Sequence, residues 1–179
     1  MAQAFIAAGS NIEPEKNIKK AAQLLSQQVR ITGISTVYRT LPVGRPQQPS
    51  YYNCVFKVET EIPPGNLKYK VLRAIEFTLG RRRTPDKYAP RTIDLDLIIY
   101  NGLAEKVGRS VLSDPQITSR PFLAFPLLEL EPKLVLPGTN VAIADICSSM
   151  SKENIRPLEG YTKQLWSKFL SKGNHQISL

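Results

Sequence analysis

Residues 51–100, YYNCVFKVETEIPPGNLKYKVLRAIEFTLGRRRTPDKYAPRTIDLDLIIY, read as a strand, a helix and a second strand. In Tyr51–Glu61, Tyr52, Cys54, Phe56 and Val58 fall on one face and Tyr51, Asn53, Val55 and Lys57 on the other, the period of a strand. Pro63–Leu79 then places Leu67, Val71, Ile75 and Leu79 four apart, a helical stripe, and Gly80 supplies the stop. Thr92–Tyr100 is short, apolar and β-branched, which predicts another strand.

Upstream, Gln3–Ala8 reads as a buried strand ended by Gly9-Ser10-Asn11. Pro14–Val29 reads as a helix with Ile18, Ala22, Leu25 and Val29 inward and Pro14 in its first turn. Ile31–Arg39 reads as a second strand, and Thr40–Ser50 as an exposed, proline-rich loop. The order is β-α-β-β-α-β, which predicts an α+β, ferredoxin-like antiparallel sheet with helices packed on it. Downstream, Arg120–Leu130 and Val141–Met150 are short helical candidates. Lys152–Leu179 is basic and weakly patterned, with a helical turn or two expected around Gln164–Leu170. The expected division is a catalytic unit over residues 1–150 and a C-terminal extension over 151–179 whose role the sequence leaves open.

Composition narrows the chemistry. The 179 residues carry a net charge of +9, which points to anionic partners such as phosphorylated small molecules or nucleic acid. The single histidine, His175, lies in a polar terminal segment, which argues against Ser-His-Asp, Cys-His and histidine-rich zinc chemistry. No GxxxxGK[ST] loop is present. Cys54 and Cys147 are far apart and lack metal-site spacing, so two reduced thiols in a cytoplasmic protein are expected. No apolar run reaches the length of a membrane span, and MAQAFIAAGSN reads as structure rather than a signal peptide.

The charged residues of Gly80–Asn101 carry the chemistry. Asp94 and Asp96 are two apart on a predicted strand, so both carboxylates share a face and need a cation between them. Arg81, Arg83, Lys87 and Arg91 precede them as phosphate ligands, while Arg82 faces away as surface. Cationic side chains opposite a carboxylate pair suit a magnesium polyphosphate, and two metal ions would clamp attacking and leaving oxygens. On the third strand Asn53 offers donor and acceptor to a planar heterocycle, and Tyr51 offers a packing surface.

Ala8-Gly9-Ser10-Asn11, Tyr38-Arg39-Thr40, Gln48-Pro49-Ser50-Tyr51-Tyr52-Asn53, Pro90-Arg91-Thr92-Ile93-Asp94-Leu95-Asp96 and Arg120-Pro121-Phe122 occur in that order. Together they resemble the 6-hydroxymethyl-7,8-dihydropterin pyrophosphokinase family of folate biosynthesis. The resemblance implies transfer of pyrophosphate from ATP to the pterin hydroxymethyl group, releasing AMP, with two Mg2+ held by Asp94 and Asp96. It implies catalytic roles for Arg81, Arg91, Asp94 and Asp96. It places Glu76, Arg83, Lys87, Ile98, Arg109, Asp114 and Arg120 on the nucleotide side. Thr40, Pro42, Val43 and Asn53 would line the pterin edge, with Tyr51 and Phe122 on its faces. ATP and the pterin are the expected partners of a cytoplasmic monomer that engages neither nucleic acid nor a membrane.

Two departures stand out. Asp114 occupies a position where the family usually has histidine, and Lys87-Tyr88-Ala89-Pro90 replaces Arg-Trp-Gly-Pro. Reduced nucleotide affinity or turnover is the expectation, since lysine lacks the guanidinium fork and tyrosine closes less surface than tryptophan. Two alternatives stay open: a catalytically weak or inactive relative that binds pterin and nucleotide, and a ferredoxin-like RNA-binding module. Against the second, no K/R-G-F/Y-G/A-F segment is present.

Overall fold

The computed structural model describes residues 1–42, 44–86, 88–108 and 110–170. Val43, Lys87, Arg109 and the last nine residues, His175 among them, lie outside the described residues. The chain runs β1 (Ala2–Ser10), α1 (Pro14–Ser26), β2 (Arg30–Ile34), β3 (Tyr38–Thr40), β4 (Tyr51–Thr60), helix α2 (residues 64–78) and β5 (Asp94–Tyr100). A small hairpin, β6 (Lys106–Val107) and β7 (Ser110–Val111), follows, then a 3-10 turn at Pro115–Thr118. Helix α3 (Pro121–Leu130), helix α4 (Ile143–Ser148), β8 (Ile155–Pro157) and helix α5 (Glu159–Phe169) complete it.

The main sheet has the order β5-β1-β4-β3-β8, with β2 also pairing β4, and each pairing is antiparallel. This is the expected ferredoxin-like arrangement, extended by one strand. One face buries Ile6, Phe56 and Leu97 against Ile18 and Leu25 of α1, Leu67 and Leu72 of α2, and Leu165 of α5. The other buries Phe5, Val55 and Ile98 against Leu123 and Leu127 of α3 and Ile143 of α4. Burying such side chains stabilises the fold by about 1.5–3 kcal/mol each.

Three local expectations need correction. The strand expected over Ile31–Arg39 is broken. The Thr36 N–H turns away from β4 and donates to Glu129 Oε2 at 2.7 Å, while Ser35 Oγ takes the Val55 N–H at 2.9 Å. The helix expected over Pro63–Leu79 exists, but Leu67–Leu72 is π-helical. Its extra residue widens the inward face: Leu67 and Ile75 are buried as expected, Val71 and Leu79 are only half-buried, and Lys68, Leu72 and Glu76 are buried beside them. The stop at Gly80 holds: at φ 77° it lets Gly80 N–H reach Phe77 O and Arg81 N–H reach Glu76 O, a Schellman closure.

The third correction concerns the C-terminal stretch. Where one or two turns were expected, β8 pairs with β3 and α5 runs eleven residues. Tyr161 OH donates to Glu15 O, Trp166 Nε1 to Ile34 O, and the Val37 N–H to Thr162 Oγ1. Among the described residues no helix is long and apolar enough to cross a membrane. Cys54 and Cys147 are both free and buried, and burial pushes the Cys54 thiol up to about 12.

Candidate active site

The sheet register builds the site. On the face shared with Phe5 and Val55, Asp94 lies opposite Gly9 of β1, and Gly9 opposite Asn53 of β4. One step along, Asp96 lies opposite Ala7, and Ala7 opposite Val55. The small residues Gly9 and Ala7 therefore form a low floor between two carboxylates and an amide. Above it is a cavity of about 470 Å³. Thr40, Pro42, Tyr51, Asn53 and Phe122 line one part of it, and Arg91, Asp94, Asp96, Ile98, Asp114 and Arg120 another.

On the carboxylate side, Arg91 Nη1 bonds Asp94 Oδ2 at 2.5 Å, and Arg81 Nη2 lies 3.7 Å from Asp94 Oδ1. Arg81 Nε is buried with no hydrogen-bond partner, an orphaned donor on the guanidinium that faces Asp94. Burial lowers the Arg81 guanidinium from its ordinary value, opposed by Asp94. Asp96 pairs instead with Lys68 of α2. Partial desolvation at the cavity floor raises the Asp96 carboxyl, opposed by the Lys68 ammonium and reinforced by Asp114 and Asp94.

Glu76 and Arg83 meet each other rather than the cavity. Arg83 Nη2 lies 2.8 Å from Glu76 Oε2, and the other Glu76 oxygen accepts the Leu95 N–H at 2.9 Å. Glu76 is buried beneath β5 and grips the backbone between the two aspartates. Burial raises its carboxyl, Asp94 adds to this, and the Leu95 N–H and Arg83 oppose it. Arg82 is exposed, as expected. Asp114 Oδ1 caps the 3-10 turn by accepting the Gln116 N–H at 2.8 Å.

On the opposite side, Asn53 Nδ2 donates to Thr40 Oγ1 at 2.9 Å, which leaves its carbonyl oxygen and second N–H for a ligand. The two loops above the cavity touch: Gln48 Nε2 donates to Tyr88 O at 2.9 Å, and Arg45 pairs with Asp86 at 2.7 Å. Asn11 ties both to the floor, since its Oδ1 accepts the Arg91 N–H and its Nδ2 donates to Gln48 and Pro49.

Sequence reasoning missed Lys68 and the positioning part of Asn11. The signal for Lys68 was the row Lys68, Leu72, Glu76, which competes with the all-apolar row chosen for the buried face. Nothing in the spacing marks Asn11 beyond its turn context.

The donor set fits a hard divalent cation carried by a polyphosphate. Among the described residues no group of three or more His, Cys, Asp or Glu side chains gathers to hold a metal. Two partly exposed carboxylates amid arginines suit Mg2+, which takes one or two protein carboxylates and completes its shell with phosphates and water.

Comparison with known proteins gives the family. Residues 5–132 match the 7,8-dihydro-6-hydroxymethylpterin-pyrophosphokinase (HPPK) family. A 2-amino-4-hydroxy-6-hydroxymethyldihydropteridine pyrophosphokinase from Haemophilus influenzae is 33% identical over 144 residues, 79% of this chain and 89% of that protein. The folic acid synthesis protein fol1 of Pneumocystis carinii is 32% identical over 86% of this chain but only 21% of its own length. The chain thus spans about a fifth of such longer relatives. A Plasmodium falciparum HPPK-DHPS structure with pteroate superposes with a TM-score of 0.67 at 12% identity, over 87% of this chain and 47% of that one. That likeness bears on the fold alone.

Proposed function

The chain belongs to the 7,8-dihydro-6-hydroxymethylpterin-pyrophosphokinase family, and on that premise we propose that it transfers pyrophosphate from ATP to 6-hydroxymethyl-7,8-dihydropterin. The products are AMP and the pterin diphosphate, a step of folate biosynthesis. The observation that carries this reading is one sheet row, Asp94–Gly9–Asn53, which joins an arginine-flanked carboxylate to an amide lining the same cavity.

In this reading the pterin lies between Tyr51 and Phe122, with Asn53 and Thr40 reading its polar edge and Pro42 beside them; Val43 is assigned to the pterin as well. Arg81 and Arg91 take the transferring phosphates, and the orphaned Arg81 Nε finds its acceptor there. Arg83, Lys87, Ile98, Arg109, Asp114 and Arg120 serve the nucleotide side. Glu76 acts as a positioning residue through the Leu95 amide. Asp94 and Asp96 hold two Mg2+, which when bound neutralise charge on the phosphate oxygens. The pterin hydroxyl attacks the β-phosphorus in line as the bond from that phosphorus to the α–β bridging oxygen breaks and AMP leaves, and the fixed arginines stabilise the negative charge that develops. The loop contacts Gln48–Tyr88 and Arg45–Asp86 above the cavity shield the reacting groups from water.

AMP formation that requires pterin, ATP and Mg2+ together is the expected result. Tight pterin binding without AMP production in that mixture would favour the inactive-relative reading instead.

Gly9 makes a sharper prediction within this reading. A Cβ there would sit 2.9 Å from Asn53 Oδ1, too close for that oxygen to stay. Gly9→Ala should raise the pterin KM by roughly tenfold, the effect of about 1.4 kcal/mol, with ATP KM little changed. Equal shifts in both constants, or none, would contradict the placement of Asn53 on the pterin edge.

A further inference from the structure

We propose that Lys68 is a resident cation of the carboxylate pair, one that keeps free divalent metal off Asp96 and makes metal binding depend on the nucleotide. The inference rests on the reading of Asp94 and Asp96 as metal ligands and adds a residue that the reading does not use. Lys68 lies on the π-helical turn of α2, and its side chain is only 10% exposed. Its ammonium is bonded to Asp96 Oδ1, whereas the Asp96 side chain is 48% exposed. The cation thus sits behind the carboxylate, on the protein side, with its stem fixed in the core.

The charges around the pair show the consequence. Arg81 and Arg91 flank Asp94, Lys68 holds Asp96, and Asp114 lines the same cavity, so the three carboxylates are matched by three cations before any metal arrives. A free dication approaching Asp96 finds that carboxylate already paired. It must either share the carboxylate with the adjacent ammonium or displace an ammonium whose buried stem cannot follow it into water. A metal carried on a triphosphate meets the opposite balance, because the phosphates offer the three cations new anionic partners. Metal and nucleotide binding are therefore positively coupled, and Lys68 is the source of part of that coupling. The π-turn matters here because its extra residue turns Lys68 inward beside Leu72.

Titration of the full chain with Mn2+, read by electron paramagnetic resonance of the unbound ion, tests this without any turnover. Without nucleotide, K68M should bind Mn2+ about tenfold more tightly than wild type, and K68R, which keeps the cation, should bind as weakly as wild type. K68Q serves the same purpose as K68M should the latter not fold. Circular dichroism checks that each variant retains its helices; Asp96 is half-exposed, so water can replace the lost ammonium. With a non-hydrolysable ATP analogue present, the difference between wild type and K68M should shrink. Unchanged Mn2+ affinity in both neutral variants overturns the role of Lys68 while leaving the metal-ligand reading intact. Protein-dependent Mn2+ binding with the analogue that is equal in wild type and D96N overturns the metal-ligand reading, and the Lys68 inference with it.

Discussion

Asp94→Asn is expected to lower pterin-dependent AMP formation by about 10³-fold, the effect of losing about 4 kcal/mol of transition-state stabilisation. Asp94 is the point where three functions converge: it faces the cavity, accepts from Arg91, and is the anion nearest to Arg81. The asparagine keeps an acceptor toward Arg91, so the fold should survive at a cost of about 1–3 kcal/mol. Asp96→Asn should be similarly inactive with a smaller stability loss, because the Asp96 carboxylate is the more exposed of the two. Circular dichroism and thermal unfolding separate the two effects. A folded Asp94→Asn protein with activity within threefold of wild type would remove Asp94 from the reaction.

Arg91→Ala is expected to cut kcat by roughly 10²–10³-fold, the usual cost of removing one fixed donor from a developing oxyanion. Arg91 is well fixed from three directions. Its N–H donates to Asn11 Oδ1 at 2.8 Å, its guanidinium bonds Asp94, and its Cζ lies 6.0 Å from the centre of the Tyr51 ring. That last contact brings the phosphate side within reach of the pterin side. Arg91→Lys should recover only part of the loss, since the charge returns without the planar fork. Full recovery by lysine would mean that Arg91 contributes charge alone, and an unchanged kcat in Arg91→Ala would exclude it from the reacting groups.

Much of this architecture was legible in the chain, for definable reasons. Alternation in Tyr51–Glu61 survives because both faces of β4 are buried against different layers, and the register then carries Asn53 to the cavity without further instruction. Asp94 and Asp96 stood out because charge inside an apolar strand is costly unless it works. The pairing of Glu76 with Arg83 was not legible, since it depends on a chain reversal at Gly80 that turns Arg83 back onto the helix. Lys68 was hidden because its row, Lys68, Leu72 and Glu76, carries charge at both ends and loses to the all-apolar row Leu67, Val71, Ile75 and Leu79 when burial is judged by hydrophobicity alone. The break at Ser35 depends on Glu129, a residue far away in sequence. The length of α5 was missed because its inward positions, Tyr161, Thr162, Leu165 and the half-buried Trp166, include a threonine and mix aromatic with aliphatic character.

The decisive measurement follows the phosphorus atoms. With ATP labelled separately at the β- and γ-phosphorus, and Mg2+ and 6-hydroxymethyl-7,8-dihydropterin present, both labels should arrive together on the pterin product, with one AMP formed per pterin consumed. Label from the γ-position alone on the product, accompanied by ADP, would contradict pyrophosphoryl transfer at this site.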